Sequence, residues 1–321
     1  MLEKDLISLL ADGDFHSGER LGAQLGISRT AVWKQLKKLD QLNVTVESVR
    51  GQGYRIPGGL ELLDPAMIRA NIPTPVQHRV GELALLDETV STNDWVRRFA
   101  ADAGWQGIVC LAERQTGGRG RRGRHWISPF GRNLYLSLGW EFEGGAALLE
   151  GLSLAVGVGV CRALGGAVPG LQLKWPNDIL YQGRKLGGVL VEMQGDPAGL
   201  CQLIIGVGIN HGMESRFADG IDQPWADVQE FSSIGRNALA GMLIGEVMRV
   251  LEVFEKHGFS PFHGEWSRYD VAFGRPISLH TMATTVDGIG RGIAENGALL
   301  IETGGGVEHY SGGEVTLRVL A

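Results

Sequence analysis

The chain has 321 residues, 44% of them hydrophobic and 21% charged, with a formal net charge of −6, which is room for two or three globular domains with an ample core. Its start, MLEKDLISLL, lacks the basic and small-residue pattern of a secretory leader, and the longest uncharged apolar run, Gly151 to Cys161, is too short to cross a bilayer. A cytoplasmic protein with no membrane partner is expected.

The charge is unevenly placed. Residues 1–60 carry 8 basic and 7 acidic side chains, and the remainder 22 and 29; within His16 to Arg55 the balance is 7 to 3. A small basic module on an acidic protein points to a dedicated nucleic-acid head. Leu6, Leu9 and Leu10 fit a first helix; Ser17 can cap a second that Gly26 breaks; Ser28 can cap a third, SRTAVWKQLKKL, with Val32, Leu36 and Leu39 on one face. Its other face is basic, through Arg29, Lys34, Lys37 and Lys38. Alternating Val44 and Val46, then the run Arg50 to Ile56, predict a β-hairpin with a Gly-rich basic tip.

That order matches a winged helix-turn-helix over residues 1–60, with Ser28, Arg29, Thr30, Lys34 and Gln35 toward bases or phosphates and Arg50 and Arg55 on the wing. Gly58-Gly59 after Pro57 reads as a linker. Nonspecific contacts of so small a module are worth only about 10⁻⁴ to 10⁻⁶ M, so operator binding calls for a dimer.

A second domain is expected over residues 64–270. Thr89 to Asn93 (TVSTN) is a small-polar turn before a helix; Leu148 to Leu164 and Arg236 to His257 fit further helices. Strands are predicted at Gly107 to Ala112, Asn133 to Leu138, Leu171 to Trp175, Ile179 to Tyr181, Gly187 to Glu192 and Leu203 to Ile209, giving an α+β class. Between the first two lies Gly117 to Trp126, GGRGRRGRHW. Arginine forks match phosphate oxygens, and glycines let backbone N–H groups approach the same anion, although such a run also suits a solvated surface. Four like charges in six residues repel, so the loop is expected to stay mobile until an anion neutralises it. The phosphate-loop pattern GxxxxGK[ST] is absent.

Three more segments carry chemistry: KWPND at Lys174 to Asp178, GRKLGG at Gly183 to Gly188, and GVGIN at Gly206 to Asn210. Cys110, Cys161 and Cys201 are odd in number, far apart and in apolar surroundings, as core thiols are. The eight histidines form no metal signature, so no protein-built metal site is expected. Residues 273–321, with PISL, RGIAENGALLIET and GEVTLRV between Gly-rich turns, read as a small barrel, and Asn296-Gly297 is a hairpin signal.

STN at Ser91 to Asn93, ERQTGGRGRRGRHW at Glu113 to Trp126, KWPND, GRKLGGVLVE at Gly183 to Glu192 and GVGIN together resemble the biotin protein ligase family. With the winged helix included, the whole chain is similar to the bifunctional bacterial form, ligase and biotin operon repressor. His125 departs from the lysine of many relatives. The resemblance implies a class II synthetase-like mixed sheet and an SH3-like C-terminal barrel. It also implies ATP, Mg²⁺ carried with ATP, biotin as substrate and a biotin carboxyl carrier protein of acetyl-CoA carboxylase as acceptor. Operator DNA and a homodimer formed on biotinyl-AMP complete the partners. By the same resemblance Ser91, Thr92, Asn93, Gln115, Arg119, Gly120, Arg121 and Lys185 hold biotin, Arg121, Arg124, Trp126, Asn177, Asp178 and Asn210 hold the nucleotide, and Lys185, Arg121 and Arg119 are the catalytic cations, with the alternative that Asn177 and Asp178 only fix the turn. Arg291 is a further candidate for reaching the nucleotide. A ligand-sensing repressor without turnover is the alternative, and lipoate ligation on the related fold carries a different signature.

Overall fold

The computed structural model describes residues 2–165, 168–281, 284–312 and 316–320. The expected strand GEVTLRV therefore falls partly outside the described residues, which resume at Thr316. The N-terminal helices form where caps and apolar spacing put them: α1 (Leu2–Leu10), α2 (Gly18–Leu25) and α3 (Arg29–Leu39). The Ser17 and Ser28 hydroxyls accept from the backbone N–H groups of Arg20 and Ala31, satisfying donors that a helix start leaves open. The wing, β1 (Glu47–Val49) and β2 (Gly53–Arg55), starts later than the Val44/Val46 alternation suggested, and His16 pairs with Tyr54 as a third rung.

The Gly58-Gly59 pair is not a loose linker. Both glycines have positive φ, and the chain turns back so that Gly59 N–H bonds Ile56 O and Leu60 N–H bonds Ala11 O. The crossover proper is Glu61 to Leu63.

The central unit runs α4 (Pro65–Ala70), α5 (Thr74–Gln77), β3 (Leu83–Leu86), α6 (Thr92–Ala103), β4 (Val109–Ala112), β5 (Leu134–Phe142), α7 (Leu152–Ala163), β6 (Leu171–Lys174), β7 (Asp178–Tyr181), β8 (Arg184–Gly195), β9 (Cys201–Ile209), α8 (Arg236–His257) and α9 (Ser260–Tyr269). Its seven-stranded sheet has the order β3-β4-β5-β9-β8-β7-β6, parallel only between β3 and β4. The expected helix over Leu148 to Leu164 is interrupted at Gly151, which takes φ 79° between a short 3₁₀ turn and α7. The stretch Ala146–Ala163 has the length and hydropathy of a membrane span. In the fold, α7 is almost wholly buried between the sheet and α8.

The period-2 pattern of β9 divides the sheet's faces: Leu203, Ile205, Val207 and Ile209 join the main core with α7 and α8, whereas Ile204 packs with Val96 and Ala100 of α6. Gly206 and Gly208 share the α6 face with Ile204, and their missing side chains open the space described next. The C-terminal strands β10 (Pro276–His280), β11 (Thr285–Ile293), β12 (Leu299–Thr303), β13 (Gly306–Tyr310) and β14 (Thr316–Val319) form one antiparallel sheet, ordered β13-β12-β11-β10-β14. Its Ile277, Leu279, Leu299, Ile301 and Leu317 are continuous with the main core.

Candidate functional site

A cavity of about 390 Å³ opens on the α6 face of the sheet. β5, β8 and β9 form its floor, the Arg/Gly loop and residues 220–225 its lip, and Thr316 and Leu317 of β14 its far edge. Ser91, Thr92, Asn93, Gln115, Arg119, Gly120, Arg121, Arg124, Trp126, Asn177, Asp178, Lys185 and Asn210 all line it. Residues more than a hundred positions apart in sequence therefore meet around one space.

One end is a closed polar array. Ser91 precedes α6, and it, Thr92 and Asn93 are buried. The Thr92 backbone N–H and hydroxyl both reach Gln115 Oε1, at 2.9 and 3.1 Å, and the Gln115 amide donates to Ser128 Oγ at 3.2 Å. Ser137 Oγ lies 2.7 Å from Thr92 Oγ1 and 2.5 Å from Asn93 Oδ1, while the Asn93 amide donates to Glu192 Oε2 at 2.7 Å. Thr92, Asn93 and Gln115 are each held in one orientation by a neighbour, which suits a small ligand with amide-like donors and acceptors.

The other end is cationic. Asp178 sits between two lysines, with Lys185 Nζ at 2.6 Å and Lys174 Nζ at 3.0 Å. Burial pushes the Asp178 carboxyl up, but the two ammonium groups, Lys185 foremost, outweigh burial and hold it below the usual carboxylate range. Lys185 Nζ is 5.8 Å from the centre of the Trp126 ring. That ring packs on Gly208, where a Cβ would approach it to 2.8 Å. Asn177 fixes the turn, its amide donating to Val189 O at 2.8 Å, and its Oδ1 accepts from Arg121 at 3.3 Å. The buried Asn210 gives its amide hydrogens to Lys185 O and Ala226 O, so it ties β8 to the lip segment from behind the lysine.

The Arg/Gly loop is folded as a short hairpin, with Gly120 N–H on Arg124 O and Trp126 N–H on Gly118 O. Self-repulsion is relieved by sending each arginine a different way. Arg119 forks onto Asp94 at 2.6 and 2.7 Å with Glu192 3.4 Å away, Arg121 turns inward to Asn177, Arg122 crosses to Thr316 at 2.9 Å, and Arg124 faces solvent. Hydrogen bonding to Arg119 holds the Asp94 carboxyl below its usual range. Sequence reasoning missed Asp94, Glu192 and Ser137; the polar Ser137 inside the apolar run NLYLSL was the available signal.

Arg291 and Gln35 depart from expectation. Arg291 pairs with Glu302 away from the cavity, and the C-terminal contribution comes from β14 instead. Trp175 is a core residue, buried and donating to Gly297 O at 3.0 Å. In the N-terminal unit Arg29, Thr30, Lys34 and Arg50 are exposed, as a DNA face requires. Gln35 is not on that face: at 100° per residue it flanks Val32 and Leu39, and its Oε1 is buried. Arg55 is held by Glu47 at 2.6 Å and lies over Phe15. All three cysteines are buried and free, and no cluster of three metal-type ligands exists among the described residues.

Comparison with known proteins adds three domain matches. Residues 88–210 match the biotin/lipoate A/B protein ligase family, residues 2–55 an HTH domain, and residues 272–318 the biotin protein ligase C-terminal domain. The chain is 42% identical over 317 residues to the bifunctional ligase/repressor BirA of Salmonella typhimurium, covering 98% of this chain and 96% of that one. Against the protein of the same name from Bacillus spizizenii it is 33% identical, covering 98% of each. The structure of the biotin protein ligase from Aquifex aeolicus in complex with biotin and ATP superposes with a TM-score of 0.63 at 29% identity, covering 74% of this chain and 99% of that one.

Proposed function

The chain belongs to the biotin protein ligase family in its two-function ligase/repressor form, and on that premise we propose that the cavity makes biotinyl-5′-AMP from biotin and ATP. The acyl group is then handed to a lysine of a biotin carboxyl carrier protein. The observation that carries this reading is the junction within one cavity of a closed amide-and-hydroxyl array with a cluster of lysines and arginines. The first holds the ureido ring; the second is where charge must be compensated.

In the first step a biotin carboxylate oxygen bonds to the α-phosphorus, the bond from that phosphorus to the bridging oxygen breaks, and pyrophosphate leaves. Two anions must meet, and one such charge pair at 4 Å is worth roughly 4 kcal/mol at an effective dielectric near 20. Lys185 lies on rigid β8, with Asp178 and the Trp126 ring fixing its ammonium, and it holds carboxylate and phosphate oxygens in line. Arg121 adds charge from above, Arg119 and Gly120 close the biotin end, and Arg124 and Asn210 sit toward the nucleotide, with Trp126 against adenine. In the second step the carrier lysine attacks the acyl carbon and AMP departs. Asn177 and Asp178 are the residues that would lie beside Mg²⁺ carried on ATP, and the ion would supply neutralisation of phosphate charge there.

The remaining parts of the reading are an SH3-like curl of the C-terminal sheet, organisation as 1–60, 64–270 and 273–321, a cytoplasmic setting, and a homodimer that presents two winged helices to operator half-sites once biotinyl-AMP is bound. The meander closed by β14 on β10 favours the curl. One experiment tests the function: the protein is incubated with ATP, labelled biotin or lipoate, and a carrier domain, with sedimentation of the carrier-free mixture. Biotin label on the carrier, lost in Lys185→Ala and in Arg121→Gly, is expected, together with a heavier species in the carrier-free sample. Lipoate transfer, or no transfer at all, overturns the ligase reading.

A further inference from the structure

We infer that Trp33 reads sequence, its indole meeting the C5-methyl group of a thymine in each DNA half-site. This rests on the repressor reading. Arg29, Trp33 and Lys37 are spaced four apart on α3 and form one exposed ridge, an aromatic ring between two cations. Trp33 is 48% exposed and takes no part in the N-terminal core, which is built from Val32, Leu36 and Leu39 of the same helix. It is the one large apolar side chain left exposed in residues 4–60 among those described.

Lys37 Nζ stands 3.9 Å over the ring centre, so one face is covered and the edge of the ring stays open. The surrounding charge commits the occupant. Arg29, Lys34, Lys37 and Lys38 favour a polyanion, which the backbone of duplex DNA supplies. An indole carbon edge gains nothing from phosphate. In the major groove the apolar feature a helix residue can meet is the thymine methyl.

The test uses the full-length protein with biotin and ATP, as wild type, Trp33→Phe and Trp33→Ala, each presented with a randomised duplex pool. Wild type is expected to enrich a two-fold motif with a thymine fixed in each half-site. Replacing that thymine by uracil removes only the methyl and should weaken wild type by about fourfold per half-site, the worth of one buried methyl. Trp33→Ala should bind both duplexes alike, and Trp33→Phe should keep part of the difference. Equal transfer of biotin to carrier by all three proteins confirms that each is folded. If Trp33→Ala retains the thymine-to-uracil loss, or loses affinity for both duplexes in equal proportion, the ring is merely structural and this assignment falls alone. If wild type enriches no motif, the repressor reading falls and takes this one with it.

Discussion

Two buried aspartates show how much a neighbour decides. Asp178 has Lys185 and Lys174, and although burial works against its charge, the lysines win and its carboxyl stays below the ordinary range. Asp270, at the end of α9, has no cation among the partners that shape its titration. Burial raises its pKa to about 6, only the Ala272 N–H opposes that, and its Oδ2 is without a hydrogen-bond partner among the described residues. The signs are opposite. A carboxyl depressed in the fold adds stability above its unfolded pKa and loses it as pH falls through the folded value. A raised one adds nothing at neutral pH: between about 4 and 6 the unfolded chain ionises Asp270 first, so stability declines as pH rises through that window. Asp270→Asn keeps the Oδ1 acceptor and removes the charge. It should stabilise the protein by about 3 kcal/mol at pH 7.5 in urea melts, with the gain vanishing near pH 4. An equal gain at both pH values would show that the carboxylate charge is not the cause.

At the level of the strand, β9 opens the two ends of the cavity by two missing side chains. A Cβ at Gly206 would stand 2.5 Å from Asn93 Oδ1, and one at Gly208 would stand 2.8 Å from the Trp126 ring. Neither glycine has the positive φ that only glycine favours, so the requirement is space and not backbone freedom. Gly206→Ala should therefore raise KM for biotin at least tenfold with little change for ATP, and Gly208→Ala should do the reverse, as steady-state kinetics would show. The same shift for both substrates in both variants would mean that β9 as a whole moves. This division of labour marks where the sequence was legible. GVGIN announced a glycine-punctuated strand, and apolar runs located all six expected strands to within a few residues. β3 and the short helices α4 and α5 escaped, because elements of four to six residues carry too few periods to register. The cations of the site were visible as letters, but their partners were not. Asp94 of α6 and Glu192 of β8 meet at Arg119 only once the chain is folded, a fact of tertiary packing that no local window contains.

Across the whole molecule, the DNA-binding unit is fastened to the ligase unit and not strung from it. Phe130 and Leu60 belong to the N-terminal core, Lys4 pairs with Asp87 at 2.6 Å, and Arg216, in the segment leading to the cavity lip, donates to Asn43 O at the end of the third helix. The principal fastening is buried. Arg236 at the start of α8 binds Glu113 at 2.9 Å, Asn133 O at 3.0 Å and Glu61 O at 2.6 Å, while Glu113 accepts from the Leu63 N–H at 2.6 Å. The crossover Glu61 to Leu63 is thus threaded through a pair that is almost fully shielded from water, Arg236 being 3% and Glu113 2% exposed. Removing one charge from such a pair strands the other, at about 3–5 kcal/mol, whereas replacing both with apolar groups is often neutral. Glu113→Gln should therefore lower stability by that amount, and Glu113→Leu with Arg236→Met should recover most of it. The crossover should behave differently. The double variant loses the anchors of both Leu63 N–H and Glu61 O, so limited proteolysis should cut within residues 57–63 faster there than in wild type. Carrier biotinylation should survive in the double variant, while DNA affinity drops because the winged helix is no longer held in a fixed place on the ligase unit. Should the double variant resist proteolysis as well as wild type does, the buried pair would be a core feature alone, and the fastening would have to reside in Phe130, Lys4 and Arg216.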